Sequence, residues 1–138
     1  MTDKTIVFRK LSSLREHVAR MRRRRSSDLE TFRADVDRQD AVGMSLLVAV
    51  QDALDIALHM ASDEGWGVPA SYAESFGMLA SHGVIDAALA DSLSSMAALR
   101  NRLAHGYGTA DMDRIWNELP QGLSALDRFA AAIAARLI

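Results

Sequence analysis

The most constraining feature of this 138-residue sequence is the spacing of its apolar side chains, which follow helical periodicity almost throughout. In the first segment they recur at intervals of three to five, as in an amphipathic helix, at Ile6, Leu11, Leu14, Val18 and Met21. No stretch alternates convincingly between apolar and polar residues over six positions, as a half-buried strand would. The sequence therefore predicts an all-α fold without a sheet.

Interruptions of the helical pattern predict an antiparallel bundle of about five helices joined by short loops, in a single domain spanning residues 1–138. Ser26 or Ser27, followed by Glu30, is a capping signal that predicts a new helix start. A long segment from about 32 to 62 is apolar around much of its girth, as a central helix should be. A short helix follows over about 71–83, and Gly83 should close it.

The fourth helix is expected over about 86–104, and a last helix should begin near Asp111 or Asp113. Within that last helix, Pro120 and Gly122 are expected to kink or divide it. The arrangement resulting from these boundaries places the stretch RNRLAHGY, residues 100–107, at the end of the penultimate helix.

Composition excludes several classes of protein. Apolar residues make up 49% of the chain and charged residues 25%, as in a soluble globular protein. The chain has no cysteine, which excludes disulfides and thiolate metal sites and predicts a cytoplasmic location. The charged N-terminus carries no signal-peptide pattern, and the longest apolar runs, such as 44–50, are too short to span a bilayer.

Charge is distributed unevenly along the sequence. Residues 9–25 contain eight lysines and arginines against one glutamate, a net charge of +7, while the whole chain carries −2. The densest part is the arginine block, which we define as Arg20, Arg22, Arg23, Arg24 and Arg25. Such a cluster suits the phosphate backbone of a nucleic acid, and these arginines are candidate RNA-binding residues. The alternative is a solvated helix end, where cations interact favourably with the helix dipole.

The stretch RNRLAHGY holds four side chains capable of chemistry. On a regular helix Arg100 and His105 would lie about 140° apart, whereas Asn101 and His105 would share a face. Because Gly106 should end the helix, His105 is expected at the C-cap, where its ring could turn back toward Arg100. Arginine can hold phosphate oxygens and histidine can transfer a proton near neutral pH, so the pair suits a phosphodiester. The alternative is an ordinary helix end whose cations favour the dipole.

A metal-dependent hydrolase is not expected from this sequence, and no cofactor is indicated. The four histidines are scattered and lack the spacing of metal ligands. Asp111 and Asp113 resemble a metal-binding pair, but capping of the last helix is the better interpretation. No glycine-rich phosphate-binding loop is present.

The spacing of Arg100, Asn101, His105 and Tyr107 resembles the Arg-x4-6-His signature of the HEPN superfamily, in the Arg-x4-His-x-Tyr form of HepT-like toxins. The resemblance extends over most of the chain from about residue 5. It includes the long segment 37–60, the motif-bearing segment 82–111 and the stretch MDRIWNELP at 112–120, in the order typical of that family.

This resemblance implies an all-α homodimer that cleaves RNA without a metal and belongs to a toxin–antitoxin pair. Arg100 and His105 would be the catalytic residues, in a cleft between protomers, and Asn101 would orient the site. Tyr107 would receive AMP from a partner nucleotidyltransferase antitoxin of the MNT type, which silences the toxin. Arg102 matches no signature position and is expected to face solvent or RNA.

Two other interpretations remain open at the level of sequence. A non-catalytic HEPN module could use the same cleft to bind nucleotides or a nucleotidyltransferase partner. A helical dimerisation protein with a basic RNA-binding helix would leave the motif without a role.

Overall fold

The computed structural model describes residues 2–106 and 111–138, which form six α-helices and, within those ranges, no strand. The helices are α1 (Lys4–Arg24), α2 (Leu29–Ala34), α3 (Val36–Asp63), α4 (Tyr72–Ser81), α5 (Ala87–His105) and α6 (Met112–Leu137). Helix α1 packs along α3 and against α6, while α5 packs between α4 and α6. The predicted all-α bundle is confirmed, with one more helix than expected.

The additional helix results from Asp35, which ends α2 and caps α3. Asp35 has an extended backbone and its carboxylate accepts a hydrogen bond from the Arg38 amide at 3.1 Å, so the chain restarts there. The expected cap at Ser26 or Ser27 is wrong, because Asp28 caps α2 by accepting from the Glu30 and Thr31 amides. Asp and Ser cap all six helices, at Asp3, Asp28, Asp35, Ser71, Asp86 and Asp111.

Helix α3 is the central element of the hydrophobic core. Its inward residues are fully buried, and the aromatic side chains of Phe32, Phe76 and Phe129 fill the space around it. Among the described residues, α3 alone is long and apolar enough to cross a membrane by length and composition, yet 61% of its most apolar window is buried inside the bundle. Its apolar character is that of a helix packed on several sides.

A polar seam runs between α1 and α3. Lys10 Nζ donates to Asp55 Oδ2 at 3.0 Å, and His17 Nδ1 lies 3.0 Å from Ser45 Oγ. Between these contacts Asp52 is buried, and burial raises the pKa of its carboxyl group, against the opposing effects of a hydrogen bond from Ser13 and the charge of Lys10. The seam therefore pairs polar side chains of α1 with polar side chains of α3 along the interface of the two helices.

Helix α6 is continuous through Pro120, so the expected division of this helix is wrong. Pro120 has no N–H, which leaves the Trp116 carbonyl without its helical donor. The Nε atom of Arg25 donates to that carbonyl at 2.9 Å, and the guanidinium lies 3.9 Å from the centroid of the Trp116 ring. A Cβ atom on Gly122 would lie 2.1 Å from Sδ of Met96, so glycine lets α5 and α6 approach closely.

Replacing Arg25 with alanine is expected to lower the free energy of unfolding by about 1–3 kcal/mol, because the Trp116 carbonyl loses its donor and its ring loses a cation–π contact. Urea unfolding followed by circular dichroism measures the effect. In a Pro120→Ala background the cost should be smaller, since the restored amide can donate to that carbonyl. Arg23→Ala, at an exposed neighbour, is the control and should change stability by about 0.5 kcal/mol or less. An equal cost of Arg25→Ala in both backgrounds would contradict this role.

Candidate active site

The motif-bearing end of α5 remains helical for one residue more than expected. His105 is the last helical residue rather than the C-cap, and the Gly106 amide donates to the Arg102 carbonyl at 3.0 Å. The ring of His105 therefore points from the helix's last turn. Arg100 and His105 keep the angular separation of a regular helix and face different parts of the bundle.

Arg100 is half-buried and held by two hydrogen bonds. Its Nη2 donates to Gln51 Oε1 on α3 at 2.9 Å, and its Nη1 donates to Asn101 Oδ1 at 3.0 Å. Its guanidinium lies 6.0 Å from the ring centroid of Tyr72, at the start of α4. The Nε atom is buried and has no hydrogen-bond partner among the described residues. Arg100 thus keeps an unused, desolvated donor, and an anionic acceptor placed there would offset that cost.

Asn101 lies at the edge of a cavity of about 580 Å³ between α3, α4 and α5. Apolar side chains line most of it, with Tyr72 and Leu58 among them, and the polar lining includes Ser94. Since the Asn101 oxygen accepts from Arg100, its amide nitrogen remains available as a donor.

His105 is exposed and lines a separate groove of about 450 Å³ between the end of α5 and the start of α6. Two arginines share this groove, Arg102 on α5 and Arg114 on α6, together with the capping residue Asp111. The side chain of Arg102 forms no hydrogen bond or ion pair within the described ranges, whereas Arg114 Nε lies 3.2 Å from Glu118 Oε1. The groove thus places a proton-transfer group beside two cations.

Sequence reasoning missed Arg114 and Gln51. Arg114 follows His105 by only nine positions, but nothing in the helix pattern indicates that its side chain lines the groove of His105. Gln51 is separated from Arg100 by 49 positions, and no local signal pairs them. The two expected catalytic residues do not converge within one chain, since each lines or contacts a different region.

Some side chains of the arginine block form polar contacts within the bundle and others do not. Arg20 pairs with Glu16 on the same helix, Arg22 pairs with Asp127 on α6, and Arg25 caps the Trp116 carbonyl. The guanidinium groups of Arg23 and Arg24 are exposed and have no hydrogen bond or ion pair within the described ranges. Only these two keep their full charge available to a ligand.

The expected alternatives for Asp111 and Asp113 are resolved by their contacts. Asp111 caps α6, as predicted, by accepting from the Arg114 amide at 3.2 Å. Asp113 forms two hydrogen bonds with Arg33, at 2.9 and 2.6 Å, and this guanidinium lowers the pKa of the carboxyl group. No three histidine or carboxylate side chains among the described residues are grouped as a metal would require. Tyr107 lies outside the described residues.

Comparison with known proteins gives this geometry a family context. Residues 14–133 match the family model described as Ribonuclease HepT-like. A curated relative, the mRNA nuclease HepT of Shewanella oneidensis, is 28% identical over 130 residues, covering 94% of this chain and 97% of that protein.

Solved structures match the whole bundle. A tri-AMPylated HEPN toxin of Shewanella oneidensis, solved in complex with an MNT antitoxin, aligns with a TM-score of 0.86 and 28% identity, covering 98% of this chain and 99% of that one. A cytosolic protein of unknown function from Bacillus subtilis aligns with a TM-score of 0.87 over 99% of this chain and 91% of its own, but at 19% identity it shows the fold alone.

Proposed function

The chain belongs to the HepT-like ribonuclease family, and on that basis we propose that it is the toxin of a toxin–antitoxin pair and a metal-independent endoribonuclease. The observation that carries the proposal is that Arg100 and His105, both near the end of α5, lie in different environments. Arg100 is held by Gln51 and Asn101 with its charge intact, while His105 is exposed in a groove that two further arginines line.

These groups suit cleavage of RNA by its own 2′-hydroxyl. The 2′-oxygen attacks the adjacent phosphorus, the bond from phosphorus to the 5′-oxygen breaks, and a proton must leave the first oxygen and reach the second. His105 can transfer such a proton near neutral pH, and Arg100 can stabilise the charge that builds on the phosphate oxygens. Asn101 orients Arg100 through its side-chain oxygen. No metal is needed for these steps.

A homodimer would bring the two groups of catalytic residues into one cleft. Arg100 contacts Gln51 on a face of α3 that also carries the exposed apolar side chains of Met44 and Leu58, seven positions to either side. Exposed apolar side chains around a polar site favour coverage by a partner surface. A second copy of this chain placed there would supply its own Arg100 and His105 to the cleft.

The RNA backbone would be held by cations that have no internal partner. Arg102 beside His105, and Arg23 and Arg24 at the end of α1, are exposed and unpaired within the described ranges. The end of α1 lies against the first turns of α6 through the contact of Arg25 with Trp116, close in sequence to Arg114 of the groove. Arg20, Arg22 and Arg25 are engaged within the bundle, and an RNA contact would compete with those interactions.

The partner of this toxin would be an MNT-type nucleotidyltransferase antitoxin that transfers AMP to Tyr107. A similar toxin, at 28% identity, was solved in the AMP-modified form with such an antitoxin. A toxin that cuts RNA and pairs with such an antitoxin would act in the cytoplasm, the location predicted from the lack of cysteine.

Cleavage of RNA by the purified protein should persist in excess EDTA, because histidine and arginine replace the functions of a metal in this mechanism. The measurement is gel analysis of an end-labelled RNA with and without the chelator. A metal-dependent ribonuclease assayed in the same buffer is the control and should lose its activity. Loss of cleavage in EDTA, restored by added metal, would contradict the mechanism. No cleavage under any condition would favour a non-catalytic HEPN module.

A further inference from the structure

We propose that Gln51 and Asp55 are positioning residues that orient the guanidinium of Arg100 while leaving its charge available to the substrate. This inference rests on the proposed function of Arg100. It is carried by a continuous series of hydrogen bonds that connects α1, α3 and α5: Lys10 Nζ to Asp55 Oδ2 at 3.0 Å, Gln51 Nε2 to Asp55 Oδ1 at 2.8 Å, and Arg100 Nη2 to Gln51 Oε1 at 2.9 Å.

The direction of these hydrogen bonds is fixed by the chemistry of Asp55 and Arg100, the two groups that flank Gln51. An ionised carboxylate only accepts, so Asp55 selects the amide nitrogen of Gln51 rather than its oxygen. A guanidinium only donates, so Arg100 selects the oxygen. The amide of Gln51 therefore has a single orientation that satisfies both neighbours, and Asp55 acts on Arg100 through it.

The neutral amide between Asp55 and Arg100 has an electrostatic consequence. A carboxylate in direct contact with Arg100 would form a close ion pair and neutralise the charge that the phosphate requires. Gln51 keeps the carboxylate one side chain away, and Lys10 balances that carboxylate from its far side. The arrangement orients Arg100 without neutralising it.

A contribution to folding stability explains this series of contacts less well than the orientation of Arg100 does. The side chains of Lys10 and Asp55 are 40% and 33% exposed, and ion pairs at such exposure contribute little to folding. Substitution of Asp55 should therefore leave the thermal midpoint nearly unchanged while affecting the reaction.

Kinetics of Gln51 variants separate orientation from charge. For Gln51→Leu, which removes the acceptor, we expect kcat to fall by about ten-fold or more, since small misplacements of a catalytic group cost up to about 100-fold, with KM changed by less than about two-fold. For Gln51→Glu, which keeps the acceptor but adds charge, we expect both a lower kcat and a higher KM, because the RNA phosphate is repelled. Asp55→Asn should show a smaller loss, because an asparagine oxygen can still accept from Gln51.

Matched controls and a direct observation of Arg100 complete the experiment. Gln121→Leu and Gln121→Glu make the same changes at an exposed site on α6 and should leave kcat and KM unchanged.

In nitrogen-15 NMR spectra, the buried Nε–H of Arg100, assigned by its absence in Arg100→Lys, should exchange slowly with water and become fast in Gln51→Leu. Fast exchange already in the natural protein, or a Gln51→Leu kcat within about two-fold of the natural value, would overturn the proposal. The NMR result does not depend on cleavage, so it distinguishes failure of this inference from failure of the proposed function.

Discussion

Loss of RNA cleavage by about 10²- to 10⁴-fold is the expected result of replacing His105 with alanine, which is the range that general acid–base catalysis by one side chain contributes. Because His105 is exposed in its groove, the substitution should not disturb the core, and the thermal midpoint should stay the same. Single-turnover cleavage of an end-labelled RNA and thermal unfolding measure the two quantities. His82→Ala, at an exposed histidine that ends α4, is the control and should cleave at the natural rate.

Mixing two inactive variants tests whether the catalytic pair is shared between protomers. Arg100→Ala should lose about 10²- to 10³-fold in rate, as removal of a group that stabilises transition-state charge does. If one cleft draws Arg100 and His105 from different copies, a heterodimer of Arg100→Ala with His105→Ala contains one intact pair, and the mixture should regain about a quarter of the natural activity. No recovery, with heterodimers verified by mass spectrometry, would place the working pair within one chain.

Local signals were sufficient for most of the bundle. Helix starts at Ser71, Asp86 and Asp111 depend on a side chain that accepts from the amide three residues later, and that contact is encoded within one turn. The end of the short helix at Gly83, with its φ of 74°, is equally local.

Two of the wrong predictions, the cap at Ser26 and the division at Pro120, have causes that lie far apart in sequence. Ser26 was a suitable cap by type, but it adopts a φ of 65° and its carbonyl accepts from the Trp116 indole, 90 positions away. Pro120 should end a helix by local rules, yet Arg25 replaces the missing donor across 91 positions. A sequence pattern read over a few neighbouring residues cannot indicate a hydrogen-bond partner about 90 positions away.

The candidate site was likewise predictable where its signal is local in sequence, and not where it depends on distant residues. The spacing of Arg100 and His105 identified the family and the end of the helix on which both lie. The identity of what holds Arg100 required the packing of α3 against α5, because Gln51 and Asp55 belong to an otherwise ordinary helix face. The position of Arg114 in the groove of His105 required the approach of α6 to the end of α5.

Silencing through Tyr107, which we propose and which follows Gly106 directly in sequence, would have a physical basis in the groove beside His105. Transfer of AMP joins the tyrosine oxygen to the α-phosphorus of ATP and releases pyrophosphate. The new phosphodiester would carry a negative charge, and the two arginines that line the groove of His105, Arg102 and Arg114, are cations able to pair with it. An AMP bound there would occupy the cations and the space that the RNA phosphate needs, as an added phosphate blocks a site of like charge.

Replacing Tyr107 with phenylalanine should therefore leave cleavage intact and abolish silencing completely, because the ring is kept and the nucleophilic oxygen is lost. The experiment incubates each protein with ATP and an MNT-type nucleotidyltransferase, then measures bound AMP by mass spectrometry and residual RNA cleavage. The chain contains two tyrosines, so Tyr72→Phe is the matched control and should still gain AMP and lose activity. A Tyr107→Phe protein that is still silenced by AMP transfer would show that another residue is the acceptor. Modification of the natural protein without loss of cleavage would instead show that AMP does not reach the groove of His105.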